Sequence, residues 1–305
     1  MCHKVSMQDT PHIFNRQAKK LHRNRCAASY AAHNFLFQEC AKRLVDRLPD
    51  IRKQFPQALD LGCHGGDLSE NLGNYTGIQH FTQADLSPKM AALASRHGPS
   101  LAVDEEWLPF KANGFDLVLS NLSLHWINDL PGTFVQIRQC LKDDGLFLAS
   151  MLGGETLREL RHSLMTAELE LENGASARIS PFADVKDLGN LLSRAGFSLP
   201  VADTEMISVN YQDPFKLITD LRGMGESNAV NLRKKTFMRR QTLMRAMDIY
   251  REQFGNPDGT YPATFEVITL TAWKPDPSQP QPLKPGSGKI NLASVLGTND
   301  QDSDM

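Results

Sequence analysis

Residues 58–66, Ala-Leu-Asp-Leu-Gly-Cys-His-Gly-Gly, carry a short apolar run into an acid and then into a glycine-rich turn. A turn of this kind suits the passage from a strand to a helix where a ligand must approach the backbone, because glycine removes the Cβ from the contact surface. The dinucleotide spacing Gly-x-Gly-x-x-Gly fails here, since His64 and Asp67 stand in its second and third places counted from Gly62. The pattern Asp-x-Gly-x-Gly-x-Gly is met at Asp60, Gly62 and Gly66, with His64 where the middle glycine would be. The competing reading is a tight turn that needs positive φ and nothing more. Further polar residues stand downstream at the ends of short apolar runs: Asp85, the pair Asp104-Glu105, and Ser120-Asn121.

The elements that must position these groups follow from periodicity. Residues 1–11 are polar and lack a period, and a loose start is expected there. From His12 to about Leu48 the apolar positions recur at helical spacing, which predicts two helices before the first strand, at 57–61. The spacing then predicts a helix opening at Asp67, a strand at 80–84 ending at Asp85, and a helix capped by Ser87 with Pro88 in its first turn. A short strand at 100–103, a buried strand at 115–120, a helix from Asp129 and a strand at 146–151 complete the alternation. Repeated strand–helix alternation implies right-handed crossovers and a doubly wound α/β sheet, whose ligands sit beyond the carboxyl ends of the strands. The second half is expected to hold helices at 154–172 and 184–195, strands at 204–211 and 264–273, and between these strands a mostly helical cap at about 213–262. The domain reading is therefore an N-terminal helical segment at 1–48, a catalytic-fold domain at 49–273 and a Pro-rich, disordered tail at 274–305.

With 33 basic and 35 acidic residues in a chain of 305, no global field points to nucleic acid. Two local runs do stand out. Arg16, Lys19, Lys20, Arg23 and Arg25 lie in a stretch without an acid, and so do Arg233, Lys234, Lys235, Arg239, Arg240 and Arg245. Either run alone reads as a solvated helix face; together they point to an acidic macromolecular partner or an anionic membrane surface. The five cysteines are scattered and in no paired spacing, which argues against a disulfide framework and against zinc and fits a reducing cytoplasm. No apolar run approaches the roughly 20 residues needed to span a bilayer, and the start is too weakly amphipathic for a transit peptide, so a soluble protein is expected.

S-adenosylmethionine asks for what these strand ends offer. Its ribose needs a bidentate acceptor such as Asp85, its adenine amino group an acceptor such as Asp104, and its methionine end the glycine turn and Ser120-Asn121. Ala58–Gly66, Ala84–Met90, Asp104–Phe110 and Phe115–Pro131 resemble the class I S-adenosylmethionine-dependent methyltransferases, in the branch that contains malonyl-[acyl-carrier-protein] O-methyltransferase of biotin synthesis. Met151–Arg161, Ile179–Phe182, Asp220–Ala229 and Trp273–Pro275 resemble the complex I assembly factors of this fold and their alphaproteobacterial relatives, described as arginine hydroxylases acting on an iron–sulfur subunit. The likeness covers nearly the whole chain from Ile13 to Leu283. It implies a seven-stranded Rossmann-like sheet and S-adenosylmethionine held by Asp60, Gly62, His64, Gly66, Asp85, Leu86, Asp104, Glu105, Ser120 and Asn121. Two departures are notable: His64 replaces a glycine, and a basic run replaces the tyrosine that covers the cofactor in many methyltransferases of this branch.

For the transfer itself the candidates are Arg222, Glu226 and Asn121. A carboxylate acceptor would need a cation, for which Arg222 is placed; the competing reading pairs Arg222 with Asp220 or Glu226. An arginine acceptor would need acids, for which Glu155 and Glu226 are candidates. None of the nine histidines has an acid two residues later, the local half of a facial metal triad, so hydroxylation rests on the resemblance, and no metal ligand is assigned. Three functions stand: modification of an arginine in a complex I iron–sulfur subunit, O-methylation of malonyl-acyl carrier protein, and a chaperone that binds the cofactor without turnover.

Overall fold

The computed structural model describes residues 12–280 apart from residues 74 and 173, so the expected loose start at 1–11 and the tail beyond residue 280 lie outside the described residues. Seven strands form a single sheet: β1 (Gln57–Leu61), β2 (His80–Asp85), β3 (Ser100–Ala102), β4 (Phe115–Asn121), β5 (Leu141–Leu152), β6 (Ser198–Tyr211) and β7 (Tyr261–Trp273). Their order is β3-β2-β1-β4-β5-β7-β6. The first five run parallel, with Ala58 beside Leu117 and Leu119 beside Leu148, whereas β7 is antiparallel to both β5 and β6. This is the Rossmann-like seven-stranded arrangement that the family resemblance implies.

Period-two alternation along the central strands divides their side chains between two cores. Leu59, Leu61, Val118 and Phe147 face α5 (Leu130–Cys140) and α7 (Val185–Arg194) through Phe134, Ile137, Leu188 and Leu192. Ala58, Leu117, Leu119 and Leu146 face α2 (Phe35–Asp46) and α3 (Asp67–Leu72) through Ala41, Leu44 and Leu68. A third apolar cluster lies among α6 (Arg158–Glu172), α8 (Pro214–Gly223), α9 (Arg240–Phe254) and β7. Local chemistry sets the helix starts. Ser87 accepts from the Met90 amide at 3.2 Å ahead of Pro88 in α4 (Pro88–Ala94), and Asp129 accepts from Gly132 ahead of α5.

Several boundaries differ from the expected ones. The helix expected from residue 154 starts at Arg158, because Gly153 and Glu155 donate to Glu266 of β7 and Leu157 takes a φ of +57°. β6 begins at Ser198 rather than residue 204, since β7 offers it a partner along that whole length. Residues 226–239, expected to be mostly helical, contain no helix. Their amides are used instead against the N-terminal segment: Asn15 donates to Ala229 at 2.7 Å and Asn231 to Ile13 at 2.8 Å, around a bridge between Phe14 and Val230. Lys274, placed at the start of the tail by composition, donates its amide to Gly145 at 2.8 Å. The chain through Pro275 forms one compact unit, and a second begins at Asp276, where the Ser278 amide donates to the Asp276 carboxylate.

The N-terminal segment is built into the first of these units. α1 (Arg16–Cys26), capped by Asn15, leads through a 3-10 helix at Ala27–Ala32 to α2. The Tyr30 hydroxyl donates to Asp67 at the start of α3 at 2.6 Å, and Asn34 and Gln38 donate to the other oxygen of the same carboxylate. Burial pushes Asp67 up to about 6 against these donors. The Tyr30→Phe variant is therefore expected to lose about 1.5–3 kcal/mol in urea unfolding at about pH 8, the usual range for a hydrogen bond to a charged group. That loss should shrink as Asp67 protonates below about pH 6. A pH-independent loss would contradict the ionised acceptor.

Candidate functional site

The carboxyl ends of β1, β2 and β4 converge under α1. Gly62 takes a φ of +77°, and a Cβ there would lie 2.1 Å from the Ser123 hydroxyl, so the first glycine is required both by conformation and by close approach. Gly66, with a φ of +97°, caps α3. Asp85 is fully buried. One of its oxygens accepts from the Ser87 amide at 2.7 Å and the other from the His64 amide at 3.0 Å. Leu86 is buried beside it.

The acids are already engaged, and their partners come from α1. Arg23, also fully buried, donates to Asp85 and to Glu105, both at 3.0 Å, and to the Ser123 hydroxyl at 2.8 Å; Ser123 in turn donates to Glu105 at 2.9 Å. Arg16 donates to Asp104 at 2.6 Å and to the second oxygen of Glu105. Burial opposes the charge on Glu105, but Arg16 and Arg23 outweigh it and hold the carboxyl at about 2. Asp85 moves the other way: its burial and the neighbouring Glu105 charge exceed the help from Arg23. The expected basic run on α1 therefore meets internal acids. Arg16, Lys19 and Arg23, at i, i+3 and i+7, share the inward face, while Leu21 points outward and is 43% exposed.

Lys19 completes the row. Its buried ammonium donates to Glu226 and, at 3.0 Å, to the Gly225 carbonyl, and stands 4.2 Å from the centroid of the Trp126 ring. Burial pulls Lys19 down to about 8 despite the pull of Glu226. The other oxygen of Glu226 accepts from the Trp126 indole at 2.7 Å and contacts His125 at 3.2 Å. Burial works against the Glu226 charge as well, yet Lys19 and His125 hold the group well below the usual carboxylate range. Arg222 pairs with neither expected partner. Asp220 is taken by His33 and Lys216, each at 2.8 Å, Glu226 is taken by Lys19, and Arg222 stands exposed at the lining of a cavity of about 490 Å³.

Three residues expected at the site carry framework bonds. The Asn121 amide donates to the Phe37 carbonyl at 2.9 Å and accepts from Ser150 at 2.8 Å. Ser120 donates to the Leu61 carbonyl at 2.7 Å. His64 adopts a φ of +48° and gives Asp85 its amide, while its ring packs beside Phe37 and Tyr30 at centroid distances of 4.5 and 6.2 Å. Burial and Arg23 hold that ring well below the ordinary histidine range, so it is neutral. Glu155, the other candidate acid, is exposed beside Arg158. The residues that sequence reasoning missed are Arg23, Ser123 and Trp126. The i, i+3, i+7 spacing of bases on an otherwise weakly apolar helix was the available signal for Arg23, and Ser123 and Trp126 carried none.

Polar atoms without partners show what the site can accept. Both Asp60 oxygens and both His64 ring nitrogens are buried without a hydrogen bond among the described residues. With Asp85 and Glu105 as acceptors beside the glycine turn, the acceptor set fits a ligand bearing hydroxyls and an ammonium, as S-adenosylmethionine does. Such a ligand must displace or share the guanidinium groups of Arg16 and Arg23. Among the described residues no His, Cys, Asp and Glu group is placed to hold a metal ion, and no helix is long and apolar enough to cross a membrane. The cysteines at 26, 40, 63 and 140 are free and buried.

A family model described as a methyltransferase domain matches residues 30–200. The chain belongs to the methyltransferase family. It is 44% identical to the protein named arginine-hydroxylase NDUFAF5, mitochondrial, of Homo sapiens, over 94% of this chain and 84% of that one. With the protein of that name from Danio rerio the identity is 41%, over 96% and 92%. A malonyl-[acyl-carrier protein] O-methyltransferase of Gallionella capsiferriformans is 31% identical over 87% of this chain and 93% of its own. Among solved structures, the YcgJ protein from Bacillus subtilis shares the fold with a TM-score of 0.53 and 14% identity, over 76% of this chain and 98% of that one. The family match thus starts at residue 30, inside the N-terminal helical segment.

The orphaned Asp60 carboxyl makes a pH signature. Burial, reinforced by Asp67 and Asp85, pushes it well above its ordinary 3.8, so the folded chain keeps a proton that the unfolded chain has lost. Stability must fall as pH rises above that value, and Asp60→Asn removes the dependence. In thermal unfolding between about pH 5 and pH 8 the variant is expected to gain on the wild type as pH rises. A difference that stays constant with pH would contradict a neutral Asp60.

Proposed function

We propose that this chain binds S-adenosylmethionine at the carboxyl ends of β1, β2 and β4 and modifies an arginine of a protein substrate. The observation that carries the reading is the 41–44% identity, across nearly the full chain, to relatives named arginine-hydroxylases. The resemblance of the second-half motifs supports an iron–sulfur subunit of respiratory complex I as the substrate. The site chemistry agrees. Glu226 and the Trp126 ring hold the Lys19 ammonium by a carboxylate and an aromatic face, the two contacts that also suit a guanidinium. In this reading Asp85 and Glu105 accept from the hydroxyl and amino groups of the cofactor, and Asp60 faces its ammonium.

When bound, S-adenosylmethionine supplies an electrophilic methyl group on a sulfonium. The protein's share is alignment and exclusion of water, and alignment of this kind can supply roughly 7–11 kcal/mol of barrier reduction. Arg222, Glu226 and Asn121 remain the residues proposed to meet the acceptor, Asn121 held in place by its bonds to Phe37 and Ser150. A reducing cytoplasmic location is part of the proposal and rests on cysteine usage, although the relatives' printed names place those proteins in mitochondria.

One observation favours a second reading. Arg222, without an acid partner at the cavity, suits a carboxylate acceptor such as the malonyl group on an acyl carrier protein. Gene deletion separates the readings: biotin auxotrophy supports carrier-protein methylation, whereas loss of assembled NADH dehydrogenase with normal growth on biotin-free medium supports arginine modification. An unmodified arginine in mass analysis of the wild-type subunit would leave the chaperone without turnover. For the cofactor, calorimetry of Asp85→Ala is expected to show S-adenosylmethionine binding abolished, and undiminished affinity would remove Asp85 from the site.

A further inference from the structure

The cavity of about 490 Å³ lies within the roughly 300–1,000 Å³ of small-molecule sites. Its interior is hydrocarbon, with Leu152, Leu160, Leu164 and Phe265 among the lining side chains. Four cationic residues line it as well, and their pairing differs. Arg178 is bound to Glu168 and Lys234 to Glu172, which neutralises both. The Arg233 side chain donates only to the Val230 carbonyl, and the Arg222 side chain has no hydrogen bond or ion pair among the described residues. The one lining acid, Glu226, is already matched by Lys19. The cavity therefore combines an apolar interior with two guanidinium groups that lack a counter-charge.

The mouth has the same character. Phe237 lines the cavity and is fully exposed at 101%, and Leu232 on the same segment is 90% exposed. Large apolar side chains held in water beside Arg233, Lys235, Arg239 and Arg240 combine hydrophobic and cationic surface at an opening. An exposed phenyl ring favours hydrocarbon contact, and the neighbouring bases favour an anion.

We propose that this cavity binds a single-chain anionic amphiphile, with its hydrocarbon chain among Leu160, Leu164 and Phe265 and its anionic head on Arg222 and Arg233. The site shares Arg222 with the proposed acceptor site and rests on that reading only there; neither the strand-end acids nor the cofactor takes part, and its test reads amphiphile binding rather than turnover. A free fatty acid and a monoalkyl phosphate share the required chemistry.

The test is calorimetry of the full chain with dodecanoate, dodecyl phosphate, dodecanol and dodecyltrimethylammonium, each below its aggregation threshold. One equivalent of dodecanoate or dodecyl phosphate is expected to bind, and the tighter of the two identifies the head group. Dodecanol and the cationic probe are expected to bind at least about tenfold more weakly, the factor that corresponds to about 1.4 kcal/mol. Leu164→Trp, which fills the interior, should abolish binding of the anionic probes while leaving S-adenosylmethionine affinity unchanged, and Arg222→Gln should erase the preference for the anionic heads. Should either variant fail to fold, a butanoate-to-dodecanoate series on the wild type decides: affinity rising with chain length supports the site, and a flat series overturns it. Equal affinity for all four heads, or binding that survives Leu164→Trp in the folded variant, would also overturn it.

Discussion

Arg23 is the interaction on which the arrangement of this site depends. Its guanidinium bridges the carboxylates of two strand ends, Asp85 closing β2 and Glu105 after β3, and reaches Ser123 after β4. All four side chains are buried. Two carboxylates this close and this deep cannot both stay charged without a cation between them, and the cation is rigidly supplied by α1. From this one constraint the rest follows: α1 must run across the strand ends, its polar face must turn inward, and Arg16 and Lys19 must fall on Glu105 and Glu226.

That geometry changes what a ligand encounters. A cofactor arriving at Asp85 meets a guanidinium already hydrogen-bonded there, so binding exchanges one set of donors for another rather than filling bare acceptors. The exchange is favoured where the incoming donors also reach groups that α1 leaves orphaned, and the two Asp60 oxygens are such groups. In the proposed reading the acids of this site serve two purposes, holding the N-terminal helix and offering acceptors to the cofactor. The side of the site nearest residues 226–239 obeys different rules: cations there outnumber their partners, and the walls are hydrocarbon.

Much of the framework was legible because it obeys strong local signals. Apolar strands bounded by acids, the Ser87-Pro88 start of α4 and the glycine turn at 62–66 each state their conformation in a few residues, and the structure places Asp60, Gly62 and Asp85 together at one edge as the spacing implied. What was not legible depended on contacts between distant segments. The basic run on α1 carries no local sign that its partners are internal, since Glu105 and Glu226 reach it only through the fold. Asn121 looked available by its position at the end of β4, yet Phe37 and Ser150 take its amide from other elements. Residues 226–239 lack apolar periodicity, and their pairing with Ile13–Asn15 is set by tertiary position alone. His64 departs from the glycine pattern in the sequence; in the fold its ring is set beside Tyr30 and Phe37, and its amide donates to Asp85.

The buried bridge itself can be measured with a double-mutant cycle in unfolding free energy between Arg23→Met and Glu105→Gln. Arg23→Met leaves Asp85 and Glu105 buried without the cation they share, which costs about 3–5 kcal/mol, whereas Glu105→Gln leaves Arg23 its bond to Asp85 and costs less; the double change removes both members of the Arg23–Glu105 pair together. The account predicts that the double variant is more stable than the sum of the single losses by at least about 2 kcal/mol. Losses that add to within about 0.5 kcal/mol would contradict it, and Arg23 would no longer explain how this fold tolerates two acids at one strand edge.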